Sequence, residues 1–117
     1  MNGDEIHMLR IHETAMDLAT GLVPTLARIK RSDSYLEDQL RRALMSVVNN
    51  IAEGSNQLGG RRASHYSIAL GSAREAWSSL RLAAAFGYIE PAVVEMNRNR
   101  FDHIIGTLMK VLPRRAA

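Results

Sequence analysis

The chain has 117 residues, which suits one domain around one apolar core. With 46% hydrophobic and 23% charged residues, it should fold rather than stay disordered. It has no cysteine, which excludes disulfides, thiol catalysis and thiolate metal sites and fits a reducing cytoplasm, and its formal charge is +3.

The first ten residues carry Asp4 and Glu5 and lack the apolar stretch of a secretion signal. No apolar run approaches the roughly 18 residues that a membrane span needs, so no membrane partner is expected. The basic residues are 13 Arg and 2 Lys. Arginine suits phosphate recognition because its planar fork binds two oxygens at once, although a genome rich in G and C gives the same bias. Aromatic residues are only 5%, so the core must rest on Leu, Ile, Val, Ala and Met.

The first periodic segment runs from about Glu5 to Lys30, with Met8, Ile11, Ala15, Leu18, Leu22 and Ile29 at helical spacing. Gly21 and Pro24 interrupt it, and the missing proline donor should kink or split the helix near Leu22. The second begins at Ser34-Tyr35-Leu36-Glu37, which reads as a capping box. Its apolar positions are Leu36, Leu40, Ala43, Leu44, Val47, Val48 and Ile51, and the pattern persists to about Gln57 before Gly59-Gly60 stops it. The third runs from about Arg61 to Phe86, with Tyr66, Leu70, Ala73, Trp77, Leu80 and Ala84 as its core stripe and Gly87 just past its end. The fourth starts near Glu90 with Pro91 in its first turn, and Val94, Phe101, Ile104, Ile105, Leu108 and Leu112 form its stripe. Short connections between four helical segments predict an all-α fold, an antiparallel up-down-up-down four-helix bundle spanning residues 1–117.

The third segment carries a second regular face: Ser64, Ile68, Gly71, Glu75, Ser78 and Leu82. Ser64, Gly71 and Ser78 are small and seven apart, so a neighbouring backbone can approach closely there, and these six residues are candidates for a subunit interface. The second segment gathers Gln39, Arg42, Ser46, Asn49, Asn50 and Glu53 opposite its apolar arc, either as a solvated face or as a polar interface. In an antiparallel hairpin about Gly59-Gly60, facing residue numbers add to about 119. Glu75 then lies level with Leu44, and an Arg42–Glu75 ion pair comes within reach. These polar residues are expected to fix helix register or pair between subunits rather than perform catalysis.

The search for chemistry returns little. No Glu is followed three residues later by His, so the ligand pattern of a di-iron bundle is absent. His7 and His12 are five apart and align poorly for a metal pair, and no phosphate loop or dinucleotide fingerprint occurs. No cofactor or metal is expected. Arg98 and His103 fit the R-x4-H pattern of HEPN-type ribonucleases, in which Arg would orient phosphate and His would move protons. With 13 Arg and 4 His, a match of this kind arises by chance in such a chain, and no catalytic residue is assigned.

The stretch Gln39-Leu40-Arg41-Arg42-Ala43, then Asn49-Asn50-Ile51-Ala52-Glu53-Gly54, then Gly71-Ser72-Ala73-Arg74-Glu75 resembles the bacterial four-helix bundle protein family. That family includes the proteins encoded in intervening sequences of 23S ribosomal RNA genes and, more distantly, the accessory variability protein of diversity-generating retroelements. Arg42, Asn50, Glu53, Gly54, Ser72 and Glu75 match family-type positions. Ala85-Phe86-Gly87-Tyr88-Ile89 also looks like the family's turn into the last helix. The end of helix one, Ala27 to Arg31, departs from the family's Phe-Pro pair, and Met45 and Val47-Val48 are mild apolar replacements.

The resemblance implies a homopentamer around a central channel and no known enzymatic activity. In the retroelement relatives it implies binding of nucleic acid and a reverse transcriptase through a basic surface. Five copies of +3 give about +15 per ring, so each arginine that neutralises a phosphate would add salt-dependent affinity. Arg41, Arg42, Arg61 and Arg62, which bracket the helix two–three hairpin, are the candidate contacts to RNA or DNA phosphates, and Arg114 and Arg115 extend them as a basic tail. Ordinary solvated charges give the same pattern. A ring that holds another protein without nucleic acid is the alternative.

Overall fold

The computed structural model describes residues 2–113, and every element among them is helical: α1 (Gly3–Gly21), α2 (Val23–Ser32), α3 (Ser34–Ser55), α4 (Gly59–Ala85) and α5 (Pro91–Val111). Arg114 and Arg115 lie outside the described residues.

The first periodic segment is two helices, so the described residues form five helices rather than four. Asn2 opens α1 by accepting the Glu5 amide, and Asp4 and Glu5 place negative charge at the helix's positive end. At Leu22 the chain turns. Pro24 sits in the first turn of α2, where its missing N–H costs nothing, and the break lets both Leu22 and Ile29 reach full burial.

The α3 cap is Asp33, one residue before the expected Ser34. Asp33 is extended, and its Oδ1 accepts the Leu36 amide at 2.9 Å, so Ser34 is already helical. Glu37 does not reach back to the cap. It is buried and takes Nε of Arg41 at 3.2 Å.

The hairpin turn also shifts. α3 ends at Ser55 rather than Gln57, and Gly59-Gly60 open α4 instead of standing outside it. Gly59 has φ +59°, a left-handed conformation that glycine adopts without a side-chain clash. The end of α4 follows the sequence. Gly87 has φ +80°, its amide donates to the Ala84 carbonyl at 3.0 Å, and the Tyr88 amide donates to Ala83 at 2.9 Å, which closes the helix as a Schellman turn.

Packing contacts join α3 to α4, α4 to α5, α5 to α1 and α1 to α3, with α2 against α3. One apolar cluster draws on all five helices and on Ile89 in the last turn. Met8, Ile11, Ala15, Leu18, Leu22 and Ile29 are all buried, as are Leu36, Leu40, Ala43, Leu44, Val47 and Ile51. Val48, Leu70, Trp77, Ala84, Ile105 and Leu112 pack on the cluster's margin. Each fully buried Leu, Ile or Phe contributes about 1.5–3 kcal/mol relative to exposure.

The α3–α4 contact has a simple basis. Ala69, Ala76 and Ala83 repeat every seven residues on α4 and are fully buried. Gly54 supplies the complementary gap on α3: a Cβ there would overlap the Tyr66 ring carbons Cδ1 and Cε1. With so little side chain between them, the two helices approach closely.

Candidate functional site: the outer face of α3 and α4

A chain of polar contacts ties α3 to α4. The Ser46 and Ser72 hydroxyls share a hydrogen bond at 2.7 Å. Asn50 Nδ2 donates to the Ser46 carbonyl at 2.9 Å and to its hydroxyl at 3.1 Å. Asn50 Oδ1 lies 3.0 Å from His65 Nδ1. Because that amide oxygen only accepts, Nδ1 carries the proton and Nε2 is the free ring nitrogen of the neutral form. Ser55 and Tyr66 complete the series at 3.3 Å. Ser46 meets Ser72, Asn50 meets His65 and Ser55 meets Tyr66, so facing residue numbers add to values close to those expected of the hairpin.

Of the residues matched to the family pattern, Asn50 and Ser72 lie in this series, and Gly54 lies beneath it against Tyr66. Glu53 and Glu75 are exposed and have no ion-pair partner among the described residues. The Arg42–Glu75 pair does not form. Arg42 instead bonds Asp38 at 2.8 Å, a partner four residues away on its own helix that needs no cross-helix reach. His65 escaped the sequence reading, although its neighbour Tyr66 falls level with Glu53 in the expected register.

The four candidate arginines form two separate groups with different work. Arg41 holds Glu37 at 3.2 Å and Asp38 at 2.7 Å, while Arg42 holds the other oxygen of Asp38. Their charges are partly offset, though such exposed pairs contribute little and leave Arg42, 73% exposed, open to another anion. Arg62 folds back on the end of α3, its Nε donating to the carbonyls of Gln57 at 2.8 Å and Gly54 at 3.3 Å. The Gly54 carbonyl also accepts the Gln57 amide at 3.2 Å, and a cation is favourable at this negative end of the helix. Arg61 is exposed and free of ion pairs among the described residues. Arg42 and Ser55, the residue closing α3 near Arg61, are about 20 Å apart along the helix at ~1.5 Å per residue.

Ser64, Ile68, Gly71, Glu75, Ser78 and Leu82 are all exposed on α4. A Cβ on Gly71 would meet nothing within 4 Å. Nothing in the protomer therefore requires glycine at this mid-helix position, where it costs about 1 kcal/mol relative to alanine.

Arg98 and His103 turn to different neighbours. Arg98 bonds both carboxylate oxygens of Glu95 and lies 5.0 Å from the Trp77 ring of α4. Its hydrogen bond and charge hold the Glu95 carboxyl below the usual range, against the opposing effect of burial. His103 Nδ1 instead lies 2.9 Å from the Thr14 hydroxyl of α1, which donates to the Arg10 carbonyl. The pair does not converge on one cleft. Among the described residues, no three His, Cys, Asp or Glu side chains gather as metal ligands, and no helix is long and apolar enough to cross a membrane.

The fold is shared with a crystal structure of a protein of unknown function from the S23 ribosomal protein family of Bacteroides thetaiotaomicron. The two are 19% identical, with a TM-score of 0.80 over 90% of this chain and 96% of that one. No curated protein matches the sequence. The profile of the 23S rRNA-intervening sequence proteins aligns with residues 7–110, which takes in α2, α3 and α4 whole and most of α1 and α5. The chain belongs to the 23S rRNA-intervening sequence protein family.

Proposed function

We propose that this protein is a non-enzymatic, cytoplasmic adaptor that assembles into a homopentameric ring and associates with nucleic acid through phosphate contacts. In this reading α1 and α2 act as one bent arm, and the protomer is an up-down-up-down four-helix bundle. The observation that carries the assembly is the exposed α4 face, with Ile68 and Leu82 in solvent beside a glycine that the protomer does not need. Glycine on an exposed helix face is explained by a second backbone that comes close. A groove of about 270 Å³ where α1 and α2 meet α3, lined by Met16, Leu26, Met45 and Val48, offers a counterpart on a second copy. The two surfaces differ, so the contact is head-to-tail, and such contacts close into rings when their rotation permits. The count of five rests on the family resemblance, and the nucleic-acid role on the arginine-rich charge and the same resemblance.

Light scattering at low and high salt, with and without a mixed RNA and DNA pool, tests this reading. The expected mass is near five chains of 13.0 kDa, growing with nucleic acid only at low salt. A ring indifferent to nucleic acid would favour a purely protein-binding module, with a reverse transcriptase among the candidate partners. Gly71→Leu should reduce the mass to one chain while circular dichroism stays helical. An intact ring in that variant would remove the α4 face from the interface.

A further inference from the structure

The six aromatic residues of the chain divide sharply by exposure. Tyr66 and Phe101 are buried, Trp77 packs at 5.1 Å against Phe101, and Tyr88 is half-buried with its hydroxyl donating to Asp33 at 3.1 Å. Only Tyr35, 74% exposed, and Phe86, 58% exposed, stand in solvent. The fold brings these two to the same pole. Tyr35 lies in the first turn of α3, two residues after Asp33. Phe86 caps α4 with its ring 5.7 Å from that of Tyr88. Both exposed rings therefore flank the Tyr88–Asp33 hydrogen bond that ties the α2–α3 joint to the α4–α5 turn.

The charges at this pole are uneven. Arg28, Lys30 and Arg31 occupy the end of α2, and Arg81 lies near the end of α4. All four are exposed and have no ion-pair partner among the described residues. The neighbouring acids are engaged: Asp33 accepts from Leu36 and Tyr88, Glu37 and Asp38 are held by Arg41 and Arg42, and Glu95 by Arg98. Glu90, at the start of α5, is the exposed acid that remains, so cations are in excess.

Resting on the nucleic-acid reading above, we propose that this pole binds single-stranded nucleic acid. Tyr35 and Phe86 serve as base-stacking faces, and Arg28, Lys30, Arg31 and Arg81 meet the phosphates. Exposed rings beside unpaired cations are the combination that grips an unpaired strand, because each base offers a π-face and each nucleotide a charge. A duplex hides those faces. Tyr35 and Phe86 lie outside the six seam residues, and Arg81 borders Leu82 at the seam's end.

Fluorescence anisotropy of labelled oligo-U and oligo-dT, and of a labelled duplex, tests the assignment on the assembled full chain. The wild type should prefer the single strands. Tyr35→Ala with Phe86→Ala should weaken that binding by about tenfold or more with an unchanged salt slope, whereas Tyr35→Phe keeps affinity. Lys30→Gln with Arg31→Gln should flatten the logarithmic salt slope by roughly 1.4, at ~0.7 per phosphate contact. Lys110→Gln, in the last turn of α5 at the opposite pole, should change neither. Circular dichroism confirms that each variant is folded. A preference for duplex, or single-strand binding unmoved by the aromatic pair, overturns this site while leaving nucleic-acid association standing. No binding by the wild type to any of the three probes overturns both and points to a protein as the occupant.

Discussion

Gly54 and Gly71 look alike in the sequence and do opposite things. Gly54 is enclosed: a Cβ would strike the Tyr66 ring and sit 3.2 Å from the His65 Cβ. The ring cannot swing aside freely, because Tyr66 is 4% exposed and its hydroxyl meets Ser55. Gly54→Ala should therefore lower stability by about 1–3 kcal/mol, read as a lower urea midpoint with an unchanged slope. An unaltered midpoint would show that the hairpin relaxes around the methyl group. The apolar stripes passed over Gly54, whereas Gly71 stood out among small residues seven positions apart. The family resemblance marked Gly54, and only the coordinates show that Tyr66 is its reason. The cap was similarly hidden: Asp33 and Ser34 are both good capping residues, and their order in the turn decides between them.

The joint between α2 and α3 and the turn between α4 and α5 are fastened by one carboxylate. Asp33 gives one oxygen to the α3 amide and the other to Tyr88. Burial first, then this hydrogen bond and the negative charge of Asp33, push the Tyr88 phenol above the usual value of 10.0. A raised value in the folded state favours the protonated form, so this stabilisation is complete below the ordinary tyrosine value. It is lost as pH rises through the folded one. Alkaline absorbance titration should place Tyr88 nearer the usual value in Asp33→Asn, and no movement would mean that burial alone sets it. The helices themselves were legible, because apolar spacing survives any error at the ends. Their boundaries were not. Pro24 announced a break near Leu22, yet the sequence left open whether the helix kinks or divides. The α3 terminus depends on Arg62 reaching back to Gly54 and Gln57, a contact with no periodic signature.

For the protein as a unit, charge and surface separate. The arginines picked from the sequence fall into two groups, one balanced by Glu37 and Asp38 and one partly spent on capping α3. The α4 face was legible as a pattern because small residues recurred every seven positions, and the structure leaves all six of its residues in solvent. Unpaired cations and exposed rings gather instead at the pole where the sequence marked only the turn from Ala85 to Ile89. Tyr35 and Phe86 are 51 positions apart in sequence, and only the hairpin's register brings them to the same pole.

The short hairpin closed by the Gly54–Tyr66 contact also predicts an order of events as the chain folds. Only residues 56–58 separate α3 from α4, so closing that hairpin costs little loop entropy. The Thr14–His103 contact joins α1 to α5 across most of the sequence, and its closure is worthwhile only once the intervening helices stand. Gly54→Ala should then slow refolding. Thr14→Val should leave the refolding rate nearly unchanged and speed unfolding, as stopped-flow chevrons would resolve. If Thr14→Val slows refolding instead, the first and last helices meet before the barrier and the hairpin does not lead.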